Sequence, residues 1–374
     1  MAGIYVHIPF CRKACNYCNF HFSTSTQLLH EFVEALLKEI ELQKNYLAEP
    51  VSTIYFGGGT PSILPCADLQ RIIETLYSNF AIAAEPEVTL EANPDDITAE
   101  KLEQWKASGI NRLSIGIQSF FQDDLQWMNR AHNASQAINS IHLAQQHGFH
   151  NLTIDLIYGT PTLSDEQWQQ NVQQAIALGI PHLSCYALTV EPKTALEKMI
   201  AQKKIAPVES DKQARHFELL MQWLATAGYE HYEISNFARP GHRSKHNSSY
   251  WQGKNYVGLG PSAHSFNGHS RQWNVANNAL YIKSLQQNNL PFELEILTPQ
   301  QQLNEYIMTS LRTMDGLNLS KVKEQFGETA YDSLLAAAQP HFINQTLLQN
   351  NDYLRLTTHG KLLADGIAAD LFQL

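Results

Sequence analysis

The chain of 374 residues is short of cysteine, of basic charge and of long apolar runs, and each shortage excludes a class of protein. Five cysteines are too few for the disulfide framework of a small secreted fold. The opening residues, MAGIYVHIPF, carry no basic stretch leading into an apolar core, so no secretory signal is expected. No uninterrupted apolar run approaches the roughly 20 residues of a transmembrane helix. Together these absences point to a cytoplasmic chain, where reducing conditions keep thiols free. Lys and Arg number 26 against 36 Asp and Glu, a formal charge of -10 that argues against binding a nucleic-acid backbone as the main activity.

What is present concentrates near the start. Cys11, Cys15 and Cys18 fall within GIYVHIPFCRKACNYCNFHF, directly after a short apolar run that reads as a strand. The spacing CxxxCxxC has no second CxxC beside it, whereas structural zinc sites take paired knuckles and four protein ligands. Three thiolates suit a 4Fe-4S cluster with one iron left open to an exchangeable ligand, since an electron-transfer cluster takes four cysteines. Cys66 and Cys185 have no cysteine neighbour and read as small packing residues.

Beyond the cysteines, β-type runs alternate with helix-length segments. Strands are expected at Ile4–Ile8, Thr53–Phe56, Glu87–Glu91, Arg112–Ile117, Leu152–Ile157 and His182–Ala187. Runs such as TIYF, RLSIGI and LTIDLI are nearly continuous in apolar and β-branched residues, as in parallel strands buried on both faces. Thr98 and Ser164 stand where N-caps belong, and Gly109, Gly148 and Gly179 close helices. Six βα units predict a parallel, barrel-like α/β sheet, with a doubly wound sheet as the other arrangement.

In such folds ligands gather at the C-terminal ends of the strands. Those ends carry Gly58, Gly59 and Thr60 in YFGGGTPS, Glu91 in TLEANPDD, Gln118 in SIGIQSF and, in the following WMNRAH, Arg130. Asp155 sits inside the otherwise apolar LTIDLI. A buried acid there costs several kcal/mol unless paired, which marks it as a ligand candidate.

YVHIPFCxxxCxYC, FGGGTPS, LEANP, SIGIQSF and DLIYGTP together resemble the coproporphyrinogen oxidase-like branch of the radical S-adenosylmethionine (SAM) superfamily. The resemblance spans nearly the whole chain. It implies a partial (βα)6 TIM-like barrel and a 4Fe-4S cluster on Cys11, Cys15 and Cys18, capped by SAM. It also implies that Tyr5 and Tyr17 contact SAM or the cluster, that Gly58, Gly59 and Thr60 hold the methionine part, and that Glu91, Gln118, Arg130 and Asp155 bind its other polar groups. Within this branch the oxygen-independent coproporphyrinogen III oxidases have a further cysteine two places after the third, and a long N-terminal arm. Here Phe20 stands at that place and ten residues precede Cys11. HNSSYW, residues 246–251, matches the HNxxYW motif of the HemW-type heme chaperones. The resemblance to the chaperones implies heme near His246, Tyr250 and Trp251, with an imidazole suited to iron and aromatic rings to a porphyrin face. It implies as partners acceptor apocytochromes or respiratory hemoproteins, and leaves open a homodimer and peripheral association with the inner face of the membrane; the acidic balance adds the expectation of no nucleic acid. The alternative is a coproporphyrinogen III oxidase that uses the radical chemistry of SAM.

Three regions are expected: 1–235 as the barrel with the cluster loop, 236–290 as an extension carrying HNSSYW and GLGPSAHSF, and 291–374 as a small winged-helix-like domain. The last holds five basic residues, Arg312, Lys321, Lys323, Arg355 and Lys361, against ten acidic ones. That balance disfavours DNA and suits a covering or docking role.

Overall fold

The computed structural model describes residues 1–373. All six expected strands form, as β1 (Ala2–Ile8), β2 (Val51–Gly58), β3 (Ile82–Ala92), β4 (Arg112–Gln118), β5 (Leu152–Tyr158) and β6 (His182–Ala187). They lie side by side in chain order and every adjacent pair is parallel. Helices Leu29–Leu42, Cys66–Asn79, Ala99–Ala107, Ala134–Gln146 and Asp165–Ala177 provide the crossovers. Their ends follow local chemistry: Thr98 Oγ1 accepts from the Lys101 amide at 3.2 Å, and Ser164 with Gln167 forms a reciprocal capping box.

The strands are buried on both faces, but only one face is apolar. Ile4, Val6 and Ile8 of β1, Ile54 and Phe56 of β2, Leu113, Ile115 and Ile117 of β4, and Ile154 and Leu156 of β5 belong to the main core with the helices. Their alternates, among them Tyr5, His7, Thr53, Tyr55, Thr89, Glu91, Ser114, Asp155 and Ser184, face the barrel interior. The interior residues contact one another: Tyr5 stacks on Tyr55 with centroids 6.2 Å apart, and the Tyr55 hydroxyl donates to Glu91 at 2.8 Å. A run such as TIYF therefore packs Ile54 and Phe56 outward and turns Thr53 and Tyr55 inward, so the barrel is filled with polar groups.

The sheet has twelve strands rather than six. Residues 230–296 add strands at both edges. β7 (Glu230–Glu233) and β8 (Asn236–Ala238) continue the sheet beyond β6, where β8 runs antiparallel. On the other side β9 (Tyr256–Leu259) runs parallel to β1, followed by β10 (His264–Phe266), β11 (Ser270–Asn274) and β12 (Phe292–Ile296). A buried carboxylate secures that edge: Glu39 on the first helix accepts from Tyr281 Oη, Asn274 Nδ2 and the Gly260 amide at 2.6, 2.6 and 2.7 Å. Three donors satisfy an acid that would otherwise be costly to bury.

From Leu303 onward a second core forms around Ile307, Leu311, Val322, Leu334 and Leu354. Helices Pro299–Leu311, Leu319–Phe326 and Glu328–Ile343 pack with a three-stranded sheet of β13 (Leu317–Asn318), β14 (Leu347–Asn350) and β15 (Tyr353–Leu356) in the order β13-β15-β14, and helix Ala364–Asp370 closes the fold. This is the winged arrangement expected, with β14 as a short strand of which only Leu347 is buried.

Candidate functional site

The cluster loop leaves β1 through Phe10, which is fully buried and packs edge-on against Phe32. The loop is then tied to the segment after β4. The Asn16 amide donates to Met128 O at 3.1 Å and its Nδ2 to Trp127 O at 2.7 Å, Asn129 Nδ2 donates to Ala14 O at 2.7 Å, and Lys13 Nζ to Arg130 O at 3.2 Å. Between the first two cysteines, Arg12 reaches the buried carboxylate of Asp96 at 2.7 Å. An irregular loop rich in polar residues thus takes its shape from partners far along the chain.

The three thiols are free and half-buried. Cys11 Sγ lies 3.3 Å from Thr60 Oγ1, and Cys15 Sγ accepts from Arg130 Nη1 at 3.3 Å. Burial, with the neighbouring Cys15 and Cys11, pushes the Cys18 thiol up to about 11. Among the described residues no three His, Cys, Asp or Glu side chains gather tightly enough for a single ion. A polynuclear cluster asks for the wider spacing, because each cysteine binds a different iron.

Beside the loop, β2 runs into glycines that the geometry demands. Gly58 has φ of +114°, and a Cβ there would stand 2.8 Å from the His7 ring; at Gly59 a Cβ would meet Phe10 O at 2.5 Å. The Gly58 amide donates to Glu91 Oε2 at 3.2 Å. Asn93 links the pieces, donating through Nδ2 to Thr60 Oγ1 at 3.0 Å and accepting at Oδ1 from Arg130 Nη2 at 2.8 Å. Arg130 also donates to Gly116 O at 2.8 Å, while its buried Nε has no partner. Gln118 adopts a positive φ of 66° at the end of β4, with its amide beside Gly116. Tyr17 lies against Arg130, and burial raises its hydroxyl well above the ordinary range.

Below this mouth sit two carboxylates. Burial and the charge of Asp155 push Glu91 up to about 8, and burial raises Asp155 to about 7, opposed by Arg130. The three cysteines, Thr60, Arg130, Gln118 and the glycines thus meet at the C-terminal ends of the strands, with Tyr5, Glu91 and Asp155 lining the interior. His7, Tyr55, Asn93 and Asp96 belong to the same construction and were not singled out from the sequence. Asn93 follows Glu91 at strand spacing and His7 follows Tyr5, so a period of two was the available signal.

HNSSYW lies at the other end of the barrel. It forms helix Lys245–Trp251, capped by Ser244, whose Oγ accepts from the Asn247 amide at 3.2 Å. His246 is buried beneath the N-terminal ends of β1 to β3: Nδ1 bonds Thr53 Oγ1 at 2.8 Å, Nε2 bonds Tyr250 Oη at 2.8 Å, and its amide donates to Glu87 at 3.0 Å. Its ring stacks on Tyr55 at 5.0 Å, and burial depresses its pKa to about 3, which keeps it neutral. Helical spacing puts His246 and Tyr250 on one face; Trp251 lies on the other, against the C-terminal domain, with Arg312 over its ring at 5.4 Å. The histidine and tryptophan that are close in sequence do not share a surface.

A parallel barrel with three free thiols at its mouth is the architecture of radical SAM proteins, and residues 5–175 match the radical SAM superfamily. Residues 297–363 match the HemN C-terminal domain. The chain is 32% identical over 372 residues to the heme chaperone HemW of Bacillus subtilis, covering 98% of each protein, and 35% identical to the heme chaperone HemW of Mycobacterium tuberculosis H37Rv, covering 99% of this chain and 94% of that one. It belongs to the HemW heme chaperone family. In fold it is similar to the coproporphyrinogen III oxidase HemN of Escherichia coli, with a TM-score of 0.86 at 24% identity over 100% of this chain and 90% of that one.

Membership of the superfamily implies a 4Fe-4S cluster and SAM. The residues fit: three free thiols beside a guanidinium suit an anionic cluster, the unpartnered Arg130 Nε offers a donor, and the glycine loop admits a ligand close to backbone. The three thiolates would hold such a cluster, and the group, if reduced, would supply one-electron chemistry at this mouth. The chain's own part is to hold the loop, position Arg130 through Asn93 and Gly116, and line the interior with carboxylates.

Those carboxylates give a test in the absence of SAM. Glu91 holds a proton in the folded chain up to about pH 8, whereas the unfolded chain releases it near about 4.3. The native state binds more protons between those values, so stability falls as pH rises through that window. Glu91→Gln, neutral at every pH, should flatten that decline. Denaturant unfolding at about pH 5.5 and pH 8 measures it; equal slopes in both proteins would show that Glu91 is not protonated.

Proposed function

We propose that the protein binds heme and delivers it to acceptor hemoproteins, with the cluster and SAM site serving as a structural or regulatory platform. The observation that carries this reading is the full-length similarity to proteins named heme chaperones. Phe20, 68% exposed where the oxidase branch has a further cysteine, supports it. We extend the proposal to respiratory apocytochromes as acceptors, reached by peripheral association at the inner face of the membrane and with a homodimer as the working form; among the described residues no helix is long and apolar enough to cross a membrane.

His246 is proposed as an iron ligand through Nε2, in the neutral form that binds metal, after Nε2 exchanges its bond to Tyr250 for iron. Anaerobic reconstitution followed by two assays tests the function. Heme binding and transfer to an apocytochrome, without decarboxylation of coproporphyrinogen III, is the expected result. Formation of protoporphyrinogen would assign the chain to the oxidases.

A further inference from the structure

Strand β12 ends one side of the twelve-stranded sheet, and its outer edge pairs with no other strand among the described residues. Its register on β11 shows which backbone groups that edge offers. The Val275 amide donates to Pro291 O at 2.8 Å and the Leu297 amide to His269 O at 2.9 Å, in step with the opposed pairs Trp273–Glu293 and Arg271–Glu295. Hydrogen-bonded pairs alternate along an antiparallel ladder, so Glu293 and Glu295 turn their backbone groups toward β11, and Leu294 and Ile296 aim theirs outward.

The side chains divide in the same way. Phe292, Leu294 and Ile296 are 38%, 56% and 75% exposed and stand in one row on one face of the strand. Glu293 and Glu295 occupy the other face. Beside them, burial and to a lesser degree the charge of Glu295 raise the carboxyl of Glu305 on helix Pro299–Leu311, against its ion pair with Arg271 at 2.9 Å. Three acids thus gather around one arginine.

An open strand edge with an apolar row is a template for another strand. A second copy fits it poorly. Antiparallel self-pairing about Leu294 sets Glu293 opposite Glu295 twice, and a shift of one pairing step either way sets Glu293 or Glu295 against itself. We propose that β12 docks an extended segment of a partner protein in which apolar residues alternate with Lys or Arg. The apolar residues meet Phe292, Leu294 and Ile296, and the basic ones meet Glu293 and Glu295. The proposal goes beyond the heme-carrying function and stands without it.

The test uses the full-length reconstituted protein and end-blocked, fluorescein-labelled peptides, with binding read as anisotropy. They are Lys-Val-Lys-Val-Lys-Val, its acidic counterpart Glu-Val-Glu-Val-Glu-Val, and the block isomer Lys-Lys-Lys-Val-Val-Val. The alternating basic peptide should bind at least about tenfold more tightly than either of the others. Leu294→Lys should remove that preference, and Glu293→Lys combined with Glu295→Lys should pass it to the acidic peptide. Thermal unfolding checks that the variants remain folded. Equal binding of the two basic peptides would mean attraction by net charge alone and would overturn the proposal, as would an unchanged preference in Leu294→Lys. Dimerisation in sedimentation velocity that Leu294→Lys abolishes would give the edge to a second copy and also overturn it.

Discussion

Replacing any one of Cys11, Cys15 and Cys18 with alanine should abolish cluster assembly, with iron and labile sulfide after anaerobic reconstitution falling to background. The effect is expected to be all or none because no other thiol can substitute. Cys185 is buried on β6, and Cys66 begins the helix after β2, on the side facing Lys101 and Trp105. The loop cannot slide to offer another ligand either, since Arg12, Lys13, Ala14 and Asn16 are each fixed to Asp96 or to residues 127–130. Fold stability should change little, because the thiols lie outside the main core. Retention of half or more of the iron in any single variant would contradict the assignment of all three as ligands.

Arg130→Met should be the most damaging change outside the cysteines. The side chain is part of the buried junction of three segments, donating to Cys15 Sγ, Asn93 Oδ1 and Gly116 O. Its loss leaves two oxygens without their donor and takes away a positive charge beside the thiols and Asp155. An unsatisfied buried acceptor costs about 1–3 kcal/mol, so a destabilisation of about 3 kcal/mol is expected, read as a lower denaturation midpoint. Cluster occupancy and SAM affinity, measured by iron content and calorimetry, should fall at least about tenfold. Arg130→Lys separates charge from shape: lysine restores the charge but lacks the planar fork that spans Asn93 and Gly116. Full recovery with lysine would show that charge alone matters.

The cluster loop was legible because its information is local. Three cysteines in eight residues and a strand before them are read without knowing any distant contact. The glycine loop and Glu91 were legible for a related reason, since parallel α/β folds bring strand ends together once the order of strands is known. Asn93 and Asp96 were harder: each acts by joining residues more than thirty positions away, as in the bonds from Asn93 to Thr60 and to Arg130.

The edges of the sheet show the same limit. β9 has only four residues and pairs with β1 across about 250 positions, a partnership held by Glu39, Asn274 and Tyr281 that no periodicity announces. The strands are buried on both faces as expected, but the runs do not reveal that the interior face is polar, because β-branched and aromatic residues signal a strand without saying which side meets helices. Thr53 and Tyr55 serve strand formation and polar lining together.

HNSSYW is the clearest division between the two levels. Its helical form follows from Ser244 as a cap and from the absence of proline or glycine within it. Which ligand each residue can meet was decided by packing: His246 and Tyr250 close the barrel floor, while Trp251 turns to the C-terminal domain. By itself, then, the sequence determined the six βα units, the three-thiol loop and the strand-end candidates, because those depend on spacing within a few residues. The tertiary structure alone decided the polar barrel interior, the twelve-stranded extent of the sheet and the open edge at β12, because each depends on surfaces from chain segments far apart being packed together.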